Sequence, residues 1–500
     1  MNYNRRLALL REKKIEHTQA KVRAAGFIDE DDYGTVPVPE DFHWQSIPNH
    51  PNGSFYGASG WAANFKSLME IHPVYVDPLD ALAGRWSIIM PKMRKQDWLP
   101  EHDTSFLREE QLKYDIDPGI GASSHFGPDY RIGLELGWDG LLAKVRHYRG
   151  LYGPEKSEFY QAEEDVILAV QTWIHRTIAH IHELEKTEPH PGLRANLEQM
   201  AAVNEWVIGK PPRTLREACQ WIAWFNMVSR TYNRDGAGGQ LDALLRPYYE
   251  KDIAAGLIED EDAIFYIACL LLNDPHYYQL GGPGPDGQDV TSHISFLILE
   301  AAHRLDSSNN LTVRVHDGLN REFFLKSVQY LFEDRKGWPR FAGDKGLVEG
   351  FMRNGYPVEL ARERIAVGCN WMAIPGREYT MNDCVKLNAA KVFDVAFHEM
   401  MDDTGVEPSL DELWRCFESH FNRAILCTSK GIDLHLRHQK ENAPELMMNL
   451  LCHGPVEKGL DVSDGGVEYY NMCIDAVGLA TVSDSFAALE QRVAIEKALT

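Results

Sequence analysis

What most limits the folds open to this chain is the order of patterned segments through its middle. Residues 293–305 read as a helix, and Leu311-Thr312-Val313-Arg314-Val315 as an alternating strand. Helices follow over 321–334 and roughly 358–364, and Ile365-Ala366-Val367 is a short apolar strand that ends at Gly368-Cys369. Parallel strands cannot be joined by a tight turn, so strands separated by helices signal a parallel sheet covered by helices. Strands apolar along their whole length suit positions buried on both faces. The pattern predicts an α/β architecture with inner parallel strands.

Upstream, Val166, Ile167, Val170, Trp173, Ile174, Ile178 and Ile181 fall on one face at helical spacing and predict a helix over 158–185. A second helix is predicted from Thr214, because Thr214 and Glu217 have the spacing of a capping box. Its body, 218–228, is apolar nearly all round, which predicts burial. Residues 1–25 read as an amphipathic helix, and the stretch after it is rich in Gly, Pro and Asn and reads as turns. Pro211-Pro212 is a candidate boundary between subregions. The glycine-rich loop 281–287 lacks the G-x-x-x-x-G-K-[ST] pattern, so it is not a phosphate cradle.

Composition removes several function classes. The formal net charge is −23 and no long Lys/Arg run is present, so nucleic acid is not an expected partner. No stretch approaches the ~18 consecutive apolar residues of a membrane span, and the N-terminus lacks the apolar core of a signal peptide. The 8 cysteines are scattered without a C-x-x-C pair, which fits a reducing compartment. A cytoplasmic protein without a membrane partner is expected. His175 and His182 can share a helical face, as can His435 and His438. With no Glu or Cys identified to complete a zinc set, no metal is expected.

The segment that carries chemistry is Ile365 to Gly376: a thiol, Cys369, at the end of an apolar strand, followed by a turn closed by Pro375-Gly376. The nearest basic residues are Arg364 and Arg377, both outside the segment. Apolar surroundings raise a thiol's pKa and keep it as S–H. That suits hydrogen-atom transfer better than thiolate chemistry. A buried core cysteine is the plain alternative.

The stretch Gly368-Cys369, Pro375-Gly376-Arg377-Glu378-Tyr379, Asp383, Asn388 and Ala390-Lys391 resembles the active-site cysteine loop of glycyl radical enzymes. That family includes pyruvate formate-lyase, diol dehydratases and arylacetate decarboxylases. Further similarities follow in family order: 124–130, which contains His125; Leu241-Asp242 with Arg246-Pro247-Tyr248-Tyr249 and Asp252; Gly281-Gly282 with Gly287 and Asp289; Leu311 to Arg314; and Gly465-Gly466, Tyr469-Tyr470, 477–480 and Asp484-Ser485. They spread over about 120–500.

The resemblance implies a ten-stranded α/β barrel of two parallel half-sheets wrapped by helices, with the cysteine on a finger loop inside. Along the chain it implies an N-terminal helical and loop region over 1–120, a first half-barrel over 121–364, the cysteine finger loop over 365–376, and the start of a second half-barrel over 377–500. It also implies a glycine radical loop. No R-V-x-G-[YF]-like context appears, since Arg492-Val493 continues on a helix pattern. The radical-bearing glycine is therefore expected outside residues 1–500, and the barrel is expected to be incomplete. A radical-SAM activase and a second copy of the chain are the implied partners.

Departures from the family narrow the chemistry. Pyruvate formate-lyase has paired cysteines, whereas Cys369 is flanked by Gly368 and Asn370. Many dehydratases and decarboxylases place a general acid/base Glu two residues after the cysteine, where this chain has Trp371. An indole N–H only donates, so Trp371 is read as a wall against an apolar substrate or as plain packing. His125 and Asp383 match the substrate-binding His and Asp of the diol dehydratases; the plain alternatives are a turn histidine and a helix-capping aspartate. Arg377 would bind a carboxylate or form a structural ion pair.

The resemblance thus implies a radical lyase acting on a small organic substrate through a thiyl radical on Cys369. The alternatives are a C–C bond-forming or bond-cleaving member, formate acetyltransferase-like or succinate-adding, or a non-catalytic binding or assembly paralogue.

Overall fold

The computed structural model describes residues 1–26, 35–88, 90, 98–117, 127–232, 237–368 and 371–498, without the side chains of residues 25 and 381–384. The chain divides into two compact units, each assembled from three separate stretches. The first comprises Met1–Gln96, His125–Tyr379 and Ala443–Tyr470, and the second Asp97–Ser124, Thr380–Asn442 and Asn471–Thr500.

The centre of the first unit is a four-stranded, wholly parallel sheet in the order β1 (Ala237–Gln240), β2 (Tyr277–Leu280), β3 (Asn310–Val315), β4 (Arg340–Gly343). Helices Leu241–Ala254 and Asp260–Asn273 connect β1 to β2, His293–Leu305 connects β2 to β3, and Arg321–Asp334 connects β3 to β4. The parallel α/β pattern expected from the sequence is therefore present. Closure of these strands into a barrel is not detected among the described residues.

Helix boundaries follow local capping. Ser292 and Ser295 bond reciprocally at the start of His293–Leu305, and the Asn320 side chain accepts from the Phe323 N–H at the start of Arg321–Asp334. The helix expected from Thr214 runs Leu215–Tyr232 and is buried along its whole length. Thr214 Oγ1 accepts from the Glu217 N–H (3.3 Å), while the Glu217 carboxylate reaches back to the N–H of Arg213 (2.6 Å) instead of that of Thr214. The helix expected over 158–185 runs Ser157–Thr187, with Val166, Ile167, Val170, Trp173, Ile174 and Ile181 all fully buried.

The second unit is dominated by the helix Leu410–Asn442, which packs on Ala389–Asp402 through Ala396, Met400 and Leu413, with Phe393, Phe397 and Phe417 around them. It holds most of β7 (Glu378–Asn388) and β8 (Tyr469–Val477), which pair in a two-stranded sheet. No helix among the described residues is long and apolar enough to cross a membrane.

Candidate active site

The apolar strand expected before the cysteine is present as β5 (Ile365–Val367), but among the described residues it joins no parallel sheet. It pairs antiparallel with β6 (Trp371–Ala373), Val367 opposite Trp371 and Ile365 opposite Ala373. Residues 368–370 link the two strands. Cys369 and Asn370 lie outside the described residues, as does His125; Asp383 lies inside β7 with its side chain not described. The candidate site is therefore built from what surrounds these positions.

The hairpin is seated on apolar residues. Ile365, Val367 and Ala373 are buried and cluster with Ala237 of β1, and Tyr277 and Trp371 pack against them. Trp371 is half-buried there. The Ala366 N–H donates to Gln279 Oε1 on β2 (3.0 Å), so the sheet holds the hairpin by its backbone.

Charged side chains clamp the base. Arg364 and Glu378, at the two ends of the segment, form an ion pair with both side chains fully buried, Nη1 to Oε2 3.0 Å. The same carboxylate accepts from the Ile374 N–H (2.8 Å), and Arg364 Nη1 donates to the Met372 carbonyl (2.9 Å). The guanidinium also lies over the rings of Phe351 and Tyr356.

Arg314 of β3 secures the lead-in. It donates to the carbonyls of Arg362 (2.6 Å) and Arg364, and pairs with Asp344. A Cβ at Gly282 would crowd three Arg314 side-chain atoms at 3.1–3.4 Å, and Gly282 has φ +104°. The paired glycines and the Leu311–Arg314 strand, similar to family motifs as words, thus belong to one device beneath the cysteine segment.

The Pro375-Gly376 turn is tied to two other loops. The Gly376 N–H donates to the Gly127 carbonyl and the His453 N–H to the Gly376 carbonyl, both at 2.7 Å. Gly376 has φ +65°, and a Cβ there would lie 2.7 Å from the Asp129 Cβ. A Cβ on Gly127 would in turn lie 2.9 Å from Ile365 Cδ1. Backbone contact therefore joins the segment just after His125 to the base of the cysteine hairpin. Asp129 caps the helix Tyr130–Arg149 and also binds the Arg131 guanidinium (2.8 and 2.9 Å) and His453 Nε2 (3.0 Å). Burial pushes its carboxyl pKa up, but these partners outweigh burial and hold it below the ordinary value.

Arg377 is committed to Glu468, Nη2 to Oε2 2.6 Å, and this bond raises its pKa. The structural ion pair, one of the two roles expected of Arg377, is present. The helix that follows β7 begins at Ala389 and its cap is Asn388, which accepts from the Lys391 N–H (3.0 Å).

One cation near the cysteine was not visible in the sequence pattern. Arg340, the first residue of β4, donates from Nη2 to the Gly368 carbonyl and to Thr312 Oγ1, both at 3.2 Å, and lies over the Tyr277 ring. It is 28 residues from Gly368 in the chain, so no spacing rule points to it. A cavity of about 240 Å³ opens at the opposite, Ile365 end of β5, lined by Pro375, Arg131, Gln240 and Arg362 among others.

Residues 117–500 fit the family model described as pyruvate formate lyase-like. The chain belongs to the pyruvate formate lyase-like family. This pyruvate formate lyase-like chain is 25% identical over 421 residues to the (2S)-3-sulfopropanediol dehydratase of Klebsiella oxytoca, covering 75% of the chain and 50% of that protein. It is 23% identical over 523 residues to the 4-hydroxyphenylacetate decarboxylase glycyl radical subunit of Clostridioides difficile strain CD196, covering 89% of the chain and 57% of that protein. The chain thus spans about half the length of the curated relatives it matches. Among solved structures, the B12-independent glycerol dehydratase of Clostridium butyricum superposes with TM-score 0.80 at 19% identity, over 89% of this chain and 67% of that one. A glycyl radical enzyme from Archaeoglobus fulgidus does so with TM-score 0.79 at 21% identity, over 98% and 72%. These two likenesses establish the fold.

Proposed function

We propose that this chain is the cysteine-bearing part of a glycyl radical lyase, of the dehydratase or decarboxylase kind, acting on a small organic substrate. The observation that carries the reading is the β5–β6 hairpin: apolar flanks, a buried ion-paired base, and Cys369 in the link between its strands. The two arginines beside the segment are committed to Glu378 and Glu468, so neither favours a thiolate. Apolar surroundings favour S–H, which is the form that a hydrogen-atom carrier must regain.

The radical glycine, placed outside residues 1–500 and installed by a radical-SAM activase, supplies the unpaired electron. Cys369 as thiyl takes a hydrogen atom from a substrate carbon, forming S–H and leaving the electron on that carbon. The substrate radical then expels water or another group, and Cys369 S–H returns the hydrogen atom to the product radical. His125 and Asp383 hold the substrate's polar group, and Trp371 walls its apolar side. Arg340 is a positioning residue that fixes the Gly368 carbonyl, one residue before Cys369 in the chain. The protein works as a homodimer in the cytoplasm. The names of the relatives support small diols, hydroxysulfonates and arylacetates as substrate classes.

The test is anaerobic activation of the full-length protein with its activase, followed by incubation with one compound of each class. Turnover of one class with loss of water, sulfite or carbon dioxide is expected. A full organic radical signal with no turnover of any of them would count against a lyase of this kind.

A further inference from the structure

In the second unit, donor atoms from two separate segments converge at the C-terminal end of the helix Leu410–Asn442. His438 and Glu441 are three residues apart on that helix and so share a face. His102 comes from a short turn in which its N–H donates to the Leu99 carbonyl (2.9 Å). His102 Nε2 lies 2.9 Å from Glu441 Oε2, and His438 Nδ1 lies 3.1 Å from the same oxygen. One donor atom from each of the three residues lies within 4.8 Å of the other two, and no other such trio is found among the described residues. It is independent of the cysteine hairpin, which belongs to the first unit.

We propose that His102, His438 and Glu441 form a binding site for a divalent transition-metal ion of the zinc type. Two imidazole nitrogens and one carboxylate oxygen are the donors that zinc prefers over calcium or magnesium. At zinc–ligand bonds of about 2.0–2.1 Å, tetrahedral ligand atoms sit roughly 3.3 Å apart. The two distances to Glu441 Oε2 are already close to that. No lysine or arginine pairs with Glu441 among the described residues.

The side-chain exposures, 12% for His102, 22% for His438 and 45% for Glu441, leave one open side for a water ligand. The two rings are stacked at 3.7 Å with 27° between their planes, so holding one ion in both ring planes requires the imidazoles to turn apart. Trp98, beside both His102 and His435, backs the cluster.

Uptake of the ion exchanges two N–H donors for one cation and pins the 98–104 turn to the helix end. One feature limits its strength. Metal on Nε2 moves the His102 ring proton to Nδ1, which is buried with no partner among the described residues. A missing partner behind a ligating histidine weakens a site by about 10–100-fold. Two of the trio are near in sequence, since Glu441 follows His438 by three residues; His102 is visible only in the fold.

The experiment is titration of the metal-stripped whole chain with Co²⁺, read by visible absorption, and then displacement by Zn²⁺. Saturable one-to-one uptake is expected, with the intense ligand-field bands of a four-coordinate site. His438→Gln and Glu441→Gln are expected to weaken it by about tenfold or more, as loss of a ligand should exceed loss of a second-shell partner. Both are surface changes whose folding is checked by circular dichroism. In parallel, Zn²⁺ should slow hydrogen exchange over 98–107 in the parent chain and not in Glu441→Gln. No saturable uptake, or uptake of equal strength in both variants, would overturn the proposal.

Discussion

Arg364 and Glu378 pair with each other at the two ends of the cysteine segment, and neither side chain has any exposure. Removing one partner of a buried pair strands the other charge, which typically costs about 3–5 kcal/mol. Arg364→Met and Glu378→Leu are each expected to destabilise the chain by about that amount, measured by denaturant unfolding. The double variant should recover most of the loss, because no unpaired charge remains. Equal or additive losses would show that the pair is not what holds the base.

Gly376 allows the turn to approach Asp129 and Leu451. Its φ of +65° and the 2.7 Å that would separate a Cβ there from the Asp129 Cβ leave no room for a side chain. Gly376→Ala is expected to cost more than about 1 kcal/mol and to lower turnover further than stability alone explains. The reason is that the same turn bonds to Gly127, beside the His125 segment. Thermal unfolding and turnover on the same preparation separate the two effects.

Asp274 gives a pH signature. Burial pushes its carboxyl up, but Arg230 and His276 outweigh burial and hold it at about 2, below the ordinary 3.8. A depressed carboxyl pKa stabilises the fold above the unfolded value and loses that contribution as pH falls through the folded one. The window here is from about pH 4 down to about pH 2. Asp274→Asn should be less stable than the parent at neutral pH, with the difference shrinking across that window. A difference constant from pH 7 to pH 2 would contradict the assignment.

Arg340 reaches the Gly368 carbonyl from β4. A hydrogen bond from a charged donor contributes about 1.5–3 kcal/mol, so Arg340→Ala is expected to lower turnover about tenfold or more. Arg340→Lys should recover only part, since an ammonium lacks the planar guanidinium that lies over the Tyr277 ring. Unchanged turnover in Arg340→Ala would remove it from the positioning role.

The sequence made the helices most legible because their signals are local. His293–Leu305 and Arg321–Asp334 match the ranges read from spacing, and each begins at a side chain that caps it. The strand before Cys369 was legible too, as three buried apolar residues. Its partner was not: β6 has only three residues, and antiparallel pairing across a three-residue link leaves no alternation to read. The clamp was out of reach for another reason. Arg314, Gly282 and Arg340 meet the hairpin only because the parallel sheet brings distant segments together. The two units each gather three separate stretches, so no composition shift along the chain marks where one ends.

The most direct test of the account concerns Cys369 itself. In full-length protein activated anaerobically, Cys369→Ser should retain the organic radical signal by electron spin resonance, because that signal belongs to another residue, while turnover disappears. Serine is close to cysteine in size, but its O–H bond is far harder to break homolytically. Turnover by the serine variant at the parent rate would contradict the account.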